Sequence, residues 1–311
     1  MSYLTTFGPA GDPATRLGWG LGLISIAVTV IVTALLLAGL LRRRQRADPK
    51  ALAVASDTGG MAWIYVGTGI TTVILLACAV WTIRTISAIA MPVGTDLSLE
   101  VSAAQWWWRV RYDNADPSQV FDTANEIHIP VGRPVRVELE SLDVIHSFWI
   151  PKLGGKMDVI PGRTNVTWLE ADAPGVYRGQ CGEYCGAQHA HMALSVVADP
   201  PATYAAWVAD QLAQAPRPAS SDVAAGLATF SRHCAACHAV RGTDAGGILG
   251  PDLTHLMSRS TLAAGTLPNT PANLLAWLAD SQAIKPGCRM PRLALSAREL
   301  QSVARYLQTL Q

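Results

Sequence analysis

The sequence predicts a multi-domain membrane protein with three parts: a two-helix transmembrane hairpin, an all-β domain of sandwich or barrel type, and an all-α domain. Three observations lead there. Apolar residues make up 50% of the 311-residue chain and charged residues only 15%, and the apolar surplus is gathered before residue 92. From residue 97 to 199 the hydrophobic pattern has the period of strands. After a Pro/Ser linker it becomes helical again, to the C-terminus.

Leu17–Leu41 is 25 residues without a charge and Met61–Ile83 is 23; each exceeds the roughly 20 residues a helix needs to cross a bilayer. A cleaved signal peptide fits the first run poorly, because the run is too long and a second span follows. The loop between the spans carries Arg42, Arg43, Arg44, Arg46 and Lys50 against Asp48 and Asp57, and positive charge in a short loop marks the cytoplasmic side. Both termini are therefore expected outside the bacterial inner membrane, on the periplasmic side. The expected division is 1–91 for a short tail and the hairpin (spans 17–41 and 61–83), 92–214 for the β domain, 215–221 for the linker and 222–311 for the helical domain.

In the β domain, Leu97-Ser-Leu-Glu-Val-Ser-Ala, Glu126-Ile-His-Ile-Pro, Pro134-Val-Arg-Val-Glu-Leu-Glu, Thr164-Asn-Val-Thr-Trp-Leu-Glu and Ala193-Leu-Ser-Val-Val alternate or run β-branched. Pro/Gly turns separate them, the pattern of short antiparallel strands. His128 lies in one alternating strand, where a structural histidine is expected. Tyr204–Gln214 and Val223–His233 are predicted helices. Thr270 with Pro271 opens another as N-cap and first helical residue, and Ser296-Ala-Arg-Glu299 is a capping box for the last.

Cys181-Gly-Glu-Tyr-Cys185-Gly-Ala-Gln-His189-Ala-His-Met192 places two thiols, an imidazole and a thioether within one loop. Thiolate, thioether and imidazole favour copper over magnesium or calcium. His146, in Val-Ile-His-Ser-Phe-Trp-Ile-Pro, would complete a shell for two metals. One type 1 copper needs a single Cys, so the second thiol is surplus unless two ions share both sulfurs. Zinc on Cys2His2 leaves Met192 without a role. A disulfide framework is the plainer reading of six cysteines (78, 181, 185, 234, 237 and 288) in an exported protein, but two pairs sit inside denser patterns. Cys234-Ala-Ala-Cys237-His238 is the c-type haem attachment signature: the thiols add to the haem vinyl groups and His238 reaches the iron. A Met sixth ligand raises the potential, and the candidates are Met257 and Met290.

Cys181-x-Glu183-x-Cys185-Gly-x-x-His189-x-x-Met192 with His146, Gln105-Trp106-Trp107-Trp108, Lys156-x-Asp158-x-x-Pro-Gly-Arg163-x-Asn165 and the two-helix anchor together resemble subunit II of haem–copper cytochrome c oxidases, across residues 1–214. The resemblance implies a cupredoxin-like sandwich holding the binuclear CuA centre. Cys181 and Cys185 would bridge, His146 and His189 would be terminal ligands, and Met192 the weak one. Glu183 would ligate through its backbone carbonyl, with its carboxylate reaching a magnesium ion shared with subunit I. Trp106 resembles the residue through which electrons reach CuA. His191 is expected to be a solvated loop residue. Gly226, Phe230, Gly250-Pro251, Met290 and Tyr306 resemble the pattern of class I cytochromes c, which implies Met290 as the haem ligand. A domain of each kind in one chain is the arrangement of caa3-type oxidases.

The function implied is electron transfer from haem c to CuA and on to subunit I for reduction of oxygen to water, with the oxygen-reducing site in another chain. Subunits I and III and a cytochrome c or other periplasmic donor are the expected partners; no nucleic acid is expected. The alternative is the CuA subunit of a membrane nitric oxide reductase, which shares the copper loop. A membrane-tethered copper chaperone leaves the haem motif unexplained. Residues 92–221 carry 15 Asp/Glu against 9 Lys/Arg, and residues 222–311 carry 5 against 8, so charge attraction is expected to help the two soluble domains dock. One departure from the family stands out: many of its members place a glutamate three residues before Trp-Thr-Ile of the second span, and here Cys78 stands there before Trp81, which puts a proton-entry role in doubt.

Overall fold

The computed structural model describes residues 2–41, 59–90, 92 and 95–311. Two compact units divide the chain, one holding the helical hairpin and the other the N-terminal tail with everything after the hairpin. In the first, α1 (Asp12–Leu41) and α2 (Gly59–Ala88) are 30 residues each, overrunning the charge-free runs because Arg16 and Arg84 continue the helices. At 1.5 Å per residue both exceed the thickness of a bilayer core. Their large apolar side chains, from Leu23 and Leu35 to Ile64 and Leu75, are exposed, which suits hydrocarbon and not water. Gly20 lets the Trp81 ring lie against α1, and half-buried Cys78 lines an apolar crevice with Ile24, Val28 and Trp81. The basic residues 42–50 and Asp57, on which the sequence-based orientation rests, lie outside the described residues.

In the second unit the tail packs on the β domain. The Phe7 N–H donates to the Lys152 carbonyl (2.8 Å), its own carbonyl accepts from the Asp172 N–H (2.8 Å), and its ring meets Tyr177. The domain contains β1 (Leu97–Ala104), β2 (Trp107–Asp113), β3 (Phe121–Ala124), β4 (Glu126–Pro130), β5 (Val135–Ser141), β6 (His146–Phe148), β7 (Met157–Val159), β8 (Asn165–Leu169), β9 (Gly175–Gln180) and β10 (Ala193–Asp199). A five-stranded sheet in the order β3-β2-β1-β5-β8 faces a three-stranded sheet in the order β4-β10-β9, with β6-β7 as a separate pair. Alternate residues of each strand fill the space between: Leu99, Val101, Val135, Val137 and Leu139 from one sheet, Ile127, Ile129, Leu194 and Val196 from the other. Full burial of each such side chain is worth about 1.5–3 kcal/mol. The wholly antiparallel sheet expected from the strand pattern is corrected at two ladders, since β1–β5 and β4–β10 run parallel. Period 2 sets which face a residue takes and is silent on the direction of its neighbour.

α3 (Pro201–Leu212) closes the domain. Its Trp207 stacks on His128, ring centroids 4.1 Å apart, while His128 Nδ1 lies 2.7 Å from Asp199 and Nε2 3.3 Å from Glu126. His128 is thus the structural residue that its strand pattern suggested.

The helical domain is α4 (Ser221–His233), a short hairpin of β11 (Thr261–Leu262) and β12 (Leu267–Pro268), α5 (Pro271–Ala279), α6 (Ser281–Ile284) and α7 (Ala297–Leu307). The capping box at Ser296/Glu299 and the Thr270 cap are both formed. α4 crosses α7 at Gly226, where a Cβ would stand 2.7 Å from Tyr306 Cβ and overlap the Ser302 carbonyl; one turn on, Phe230 packs on Tyr306.

Candidate metal and haem centres

The copper-loop residues Cys181–Met192 form the turn between the adjacent antiparallel strands β9 and β10. Its ends are tied by a bond from Cys181 N–H to the Met192 carbonyl (3.0 Å), and its first step is pinned by Gly182 N–H to Ser147 O (2.8 Å). That second bond brings β6 alongside, and with it His146, fully buried. The six predicted ligands converge. Cys181 Sγ is 3.8 Å from Cys185 Sγ, 3.9 Å from His146 Nδ1 and 3.2 Å from the Glu183 carbonyl. Cys185 Sγ is 3.6 Å from His189 Nδ1 and 3.8 Å from Met192 Sδ. One imidazole thus stands by each thiol, with a carbonyl on the Cys181 side and a thioether on the Cys185 side. This pseudo-symmetric set suits two ions sharing two sulfurs; a single tetrahedral ion would leave two donors idle.

Electrostatics favour loading. Cys181 is pushed well below the ordinary thiol range, first by the hydrogen bond from Cys185 and then, against the effect of burial, by His146 and the amide of Ser147. Asp143 sets the histidine: its Oδ1 is 2.8 Å from His146 Nε2, which leaves Nδ1 to face the sulfurs. Burial works to raise the Asp143 carboxyl, but bonds from His146, Gln105 N–H and Val144 N–H outweigh it and hold it below its usual value. Asp143 was not singled out in the sequence; a carboxylate three residues before the upstream histidine is the signal that marks it. Gln105 Nε2 and Trp106 Nε1 both donate to the Cys185 carbonyl (2.8 and 3.0 Å), fixing the loop from the other side. His191 is exposed and bonds Gln188 (2.7 Å), outside the shell. The Glu183 carboxylate points away, 3.5 Å from Lys156, which also lies 3.4 Å from Asp158.

The haem motif ends α4. Cys234 and Cys237 are free thiols, and burial raises Cys234 to about 11. His238 Nδ1 lies 2.8 Å from the Pro251 carbonyl; as a donor there it leaves Nε2 free for iron. Burial lowers the pKa of His238, which favours the neutral ring a metal requires. Gly250 has room for no side chain, since its Cβ would stand 2.6 Å from the His238 ring. The buried guanidinium donors Arg259 Nε and Arg241 Nη2 have no hydrogen-bond partner among the described residues, an arrangement suited to the propionates of a haem. Met290 and Met257 both pack on the core of this domain. The Met290 loop is anchored at the Met290 carbonyl by Ser281 (2.9 Å) and Gln282 (2.7 Å), whereas Met257 sits in a turn tied to Leu310.

The two soluble domains are joined by specific bonds. Ala193 N–H donates to Ala264 O (3.0 Å), Gln188 Nε2 to Pro286 O (2.8 Å), and Ser260 N–H and Oγ to Glu126. Lys285 Nζ donates to the carbonyls of Trp106, His191 and Ala263. Arg289–Asp143 (2.9 Å) is an ion pair across the boundary. Most of these links are neutral or one-sided hydrogen bonds, so the opposite net charges of the domains are secondary to local geometry. Trp106 is buried, 8% exposed, and a Cβ on Gly287 would rest 3.7 Å from its ring.

Comparison with known proteins matches residues 114–199 to the family model "Cytochrome C oxidase subunit II, periplasmic domain" and residues 223–311 to "Cytochrome c". The chain is similar to cytochrome c oxidase subunit 2 of Alkalihalophilus pseudofirmus (40% identical over 214 residues, 68% of this chain and 60% of that one). It is also similar to that of Bacillus sp. PS3 (34%, 68% and 62%) and to a probable cytochrome c oxidase subunit 2 of Rickettsia bellii (31%, 60% and 75%). The first two of these are thus matched over about three fifths of their length. Among solved structures, the periplasmic domain of subunit II of the Bradyrhizobium japonicum oxidase aligns at 34% identity, covering 39% of this chain and 96% of that one with a TM-score of 0.35.

Proposed function

Since the chain belongs to the cytochrome c oxidase subunit II family, we propose that it is the electron-transfer subunit of a caa3-type haem–copper oxidase, taking electrons at haem c and handing them through CuA to subunit I. The observation that carries this reading is the juxtaposition within one unit of a six-donor sulfur–imidazole shell and a Cys-x-x-Cys-His haem site, with Trp106 between the copper loop and the haem domain. Bound binuclear copper would supply a one-electron carrier whose charge is shared over two centres, and haem c a second carrier. The chain's own residues do the rest. Cys181 and Cys185 would hold the copper together with His146, His189, Met192 and the Glu183 carbonyl, the donors that stand around the two thiols. On this reading the oxygen-reducing site lies in subunit I.

Cys234 and Cys237 would hold the haem through their thiols, and His238 and Met290 would be the residues offered to its iron. Pro251 keeps His238 in the tautomer that offers Nε2. Buried Trp106 is closed to a soluble donor by the chain's own haem domain, so a periplasmic cytochrome c would deliver to haem c. The Glu183 carboxylate, half-exposed and paired with Lys156, would be the group that reaches a magnesium ion at a face meeting subunit I; subunit III completes the expected complex. The hairpin anchors it, and the tail's packing on the copper domain fits an N-terminus on the periplasmic side of the bacterial inner membrane. The division into 1–91, 92–214, 215–221 and 222–311 follows these roles.

Electron paramagnetic resonance of the full chain loaded with copper and haem tests the reading. A mixed-valence signal split by two equivalent copper nuclei and a low-spin haem are expected, and Cys185→Ser should abolish the first while sparing the second. One copper per chain, or a copper signal indifferent to Cys185→Ser, refutes it.

A further inference from the structure

Lys285 is buried, 2% exposed, and no carboxylate pairs with it among the described residues. Isolated ammonium groups are costly to bury, and burial pulls this one down to about 8, which still leaves it charged at neutral pH. Its cost is met by main-chain carbonyls alone: Trp106 O at 2.7 Å, His191 O at 2.7 Å and Ala263 O at 2.9 Å. An ammonium has three N–H donors and no acceptor, so every donor is used. Two of the three acceptors lie in the copper domain and one in the haem domain. The tripod is therefore complete only while the two domains are docked.

The surroundings give the tripod a direction. Lys285 begins the segment Lys-Pro-Gly-Cys-Arg-Met that ends at Met290. Within it the Pro286 carbonyl accepts from Gln188 of the copper loop, Gly287 lies against the Trp106 ring, and Arg289 reaches Asp143 behind His146. On the far side, Trp106 Nε1 bonds the carbonyl of Cys185. One short loop thus connects the proposed haem ligand to the backbone of the proposed copper ligands.

We infer that Lys285 is a positioning residue for electron transfer within the chain, bolting the Met290 loop onto Trp106 and the copper loop so that the two redox domains are held docked. The inference rests on the reading that haem c passes electrons to copper in this chain. Without the ammonium, three buried carbonyls lose their donor together, and hydrogen bonds to charged groups are among the stronger ones. The docked population then falls, and the transfer rate falls with it.

The test uses the full chain in detergent, loaded with both groups, with haem c reduced by a light-triggered photoreductant and copper reduction followed in time. Lys285→Met should slow the intramolecular step about tenfold at equal driving force, as the three carbonyls lose their shared donor and the docked population falls. It should also make the step depend on solvent viscosity, because redocking now gates it; a residue that only supports folding would not confer that dependence. The Met–iron absorption of the haem and the mixed-valence copper signal should persist. Lys285→Gln keeps two N–H donors and should fall between, and it decides the matter by the same two criteria if the Met variant does not load. A rate within about twofold of wild type, or a slowed step indifferent to viscosity, overturns the inference. A wild-type chain whose reduced haem never passes its electron to copper is a different result: it overturns the electron-transfer reading itself, and this role with it.

Discussion

Asp143 concentrates several tasks in one side chain. It orients His146, accepts from the Gln105 amide that leads into Trp106, and pairs with Arg289 of the haem domain. Outer partners of metal-binding histidines usually matter almost as much as the ligands. Asp143→Ala is expected to weaken copper binding about 10–100-fold, measured by competition with a chelator, while the Cys234–Cys237–His238 site still takes up haem. Trp106 is the second residue with a double role: its indole N–H fixes the copper loop and its carbonyl receives Lys285. A tryptophan in a Trp-Trp-Trp run offers no sign of which ring is core and which is contact. Here Trp108 is fully buried between His146 and Phe148, and Trp106 lies at the domain boundary.

At the scale of elements, the β9–β10 turn owes its shape to the sheet beneath it. The strands set its ends, and the third side comes from β6, which is only three residues long and not periodic enough to be read from sequence. The crossing of α4 and α7 is the corresponding feature of the haem domain. Gly226→Ala should destabilise that domain by about 1–3 kcal/mol, because the added methyl meets backbone and must push the helices apart; denaturant unfolding followed at the haem would show it. β4 contributes a pH-sensitive link. Burial works to raise Glu126, but hydrogen bonds from His128 and from Ser260 outweigh it and hold the carboxyl below its ordinary 4.5. Asp199 and Arg259 are the other charged groups near it. A depressed carboxyl stabilises the folded state above its unfolded pKa and loses that contribution as pH falls through the folded value. The difference in urea midpoint between wild type and Glu126→Gln should therefore be full above pH 4.5 and shrink below it.

For the whole molecule, the consequence is two modules built to be held side by side. A haem module and a copper module, each with its own core, are joined by bonds that run through the copper loop itself. The haem domain covers one side of Trp106, while Tyr184 and the Leu142–Ile145 segment of the copper domain stay exposed. In the hairpin, Cys78 sits in an apolar crevice beside Ile24, Val28 and Trp81, at the position where the resemblance leads one to expect a glutamate.

The side chains of the candidate sites could be read from the sequence: Cys181, Cys185, His189, Met192 and the Cys-x-x-Cys-His238 motif are local patterns, and the structure brings the first four together. The two long apolar helices, the caps at Thr270 and Ser296, and the strand periods were legible in the same way, because each depends on consecutive residues. The parallel ladders, the choice of Asp143 and the bonds between the domains were decided only by tertiary structure. Lys285 shows why. In sequence it is one lysine before a Pro-Gly turn, expected in water like any other. Its three acceptors, Trp106, His191 and Ala263, come from remote parts of the chain, and no local pattern encodes a donor whose partners exist only once two domains have folded and met.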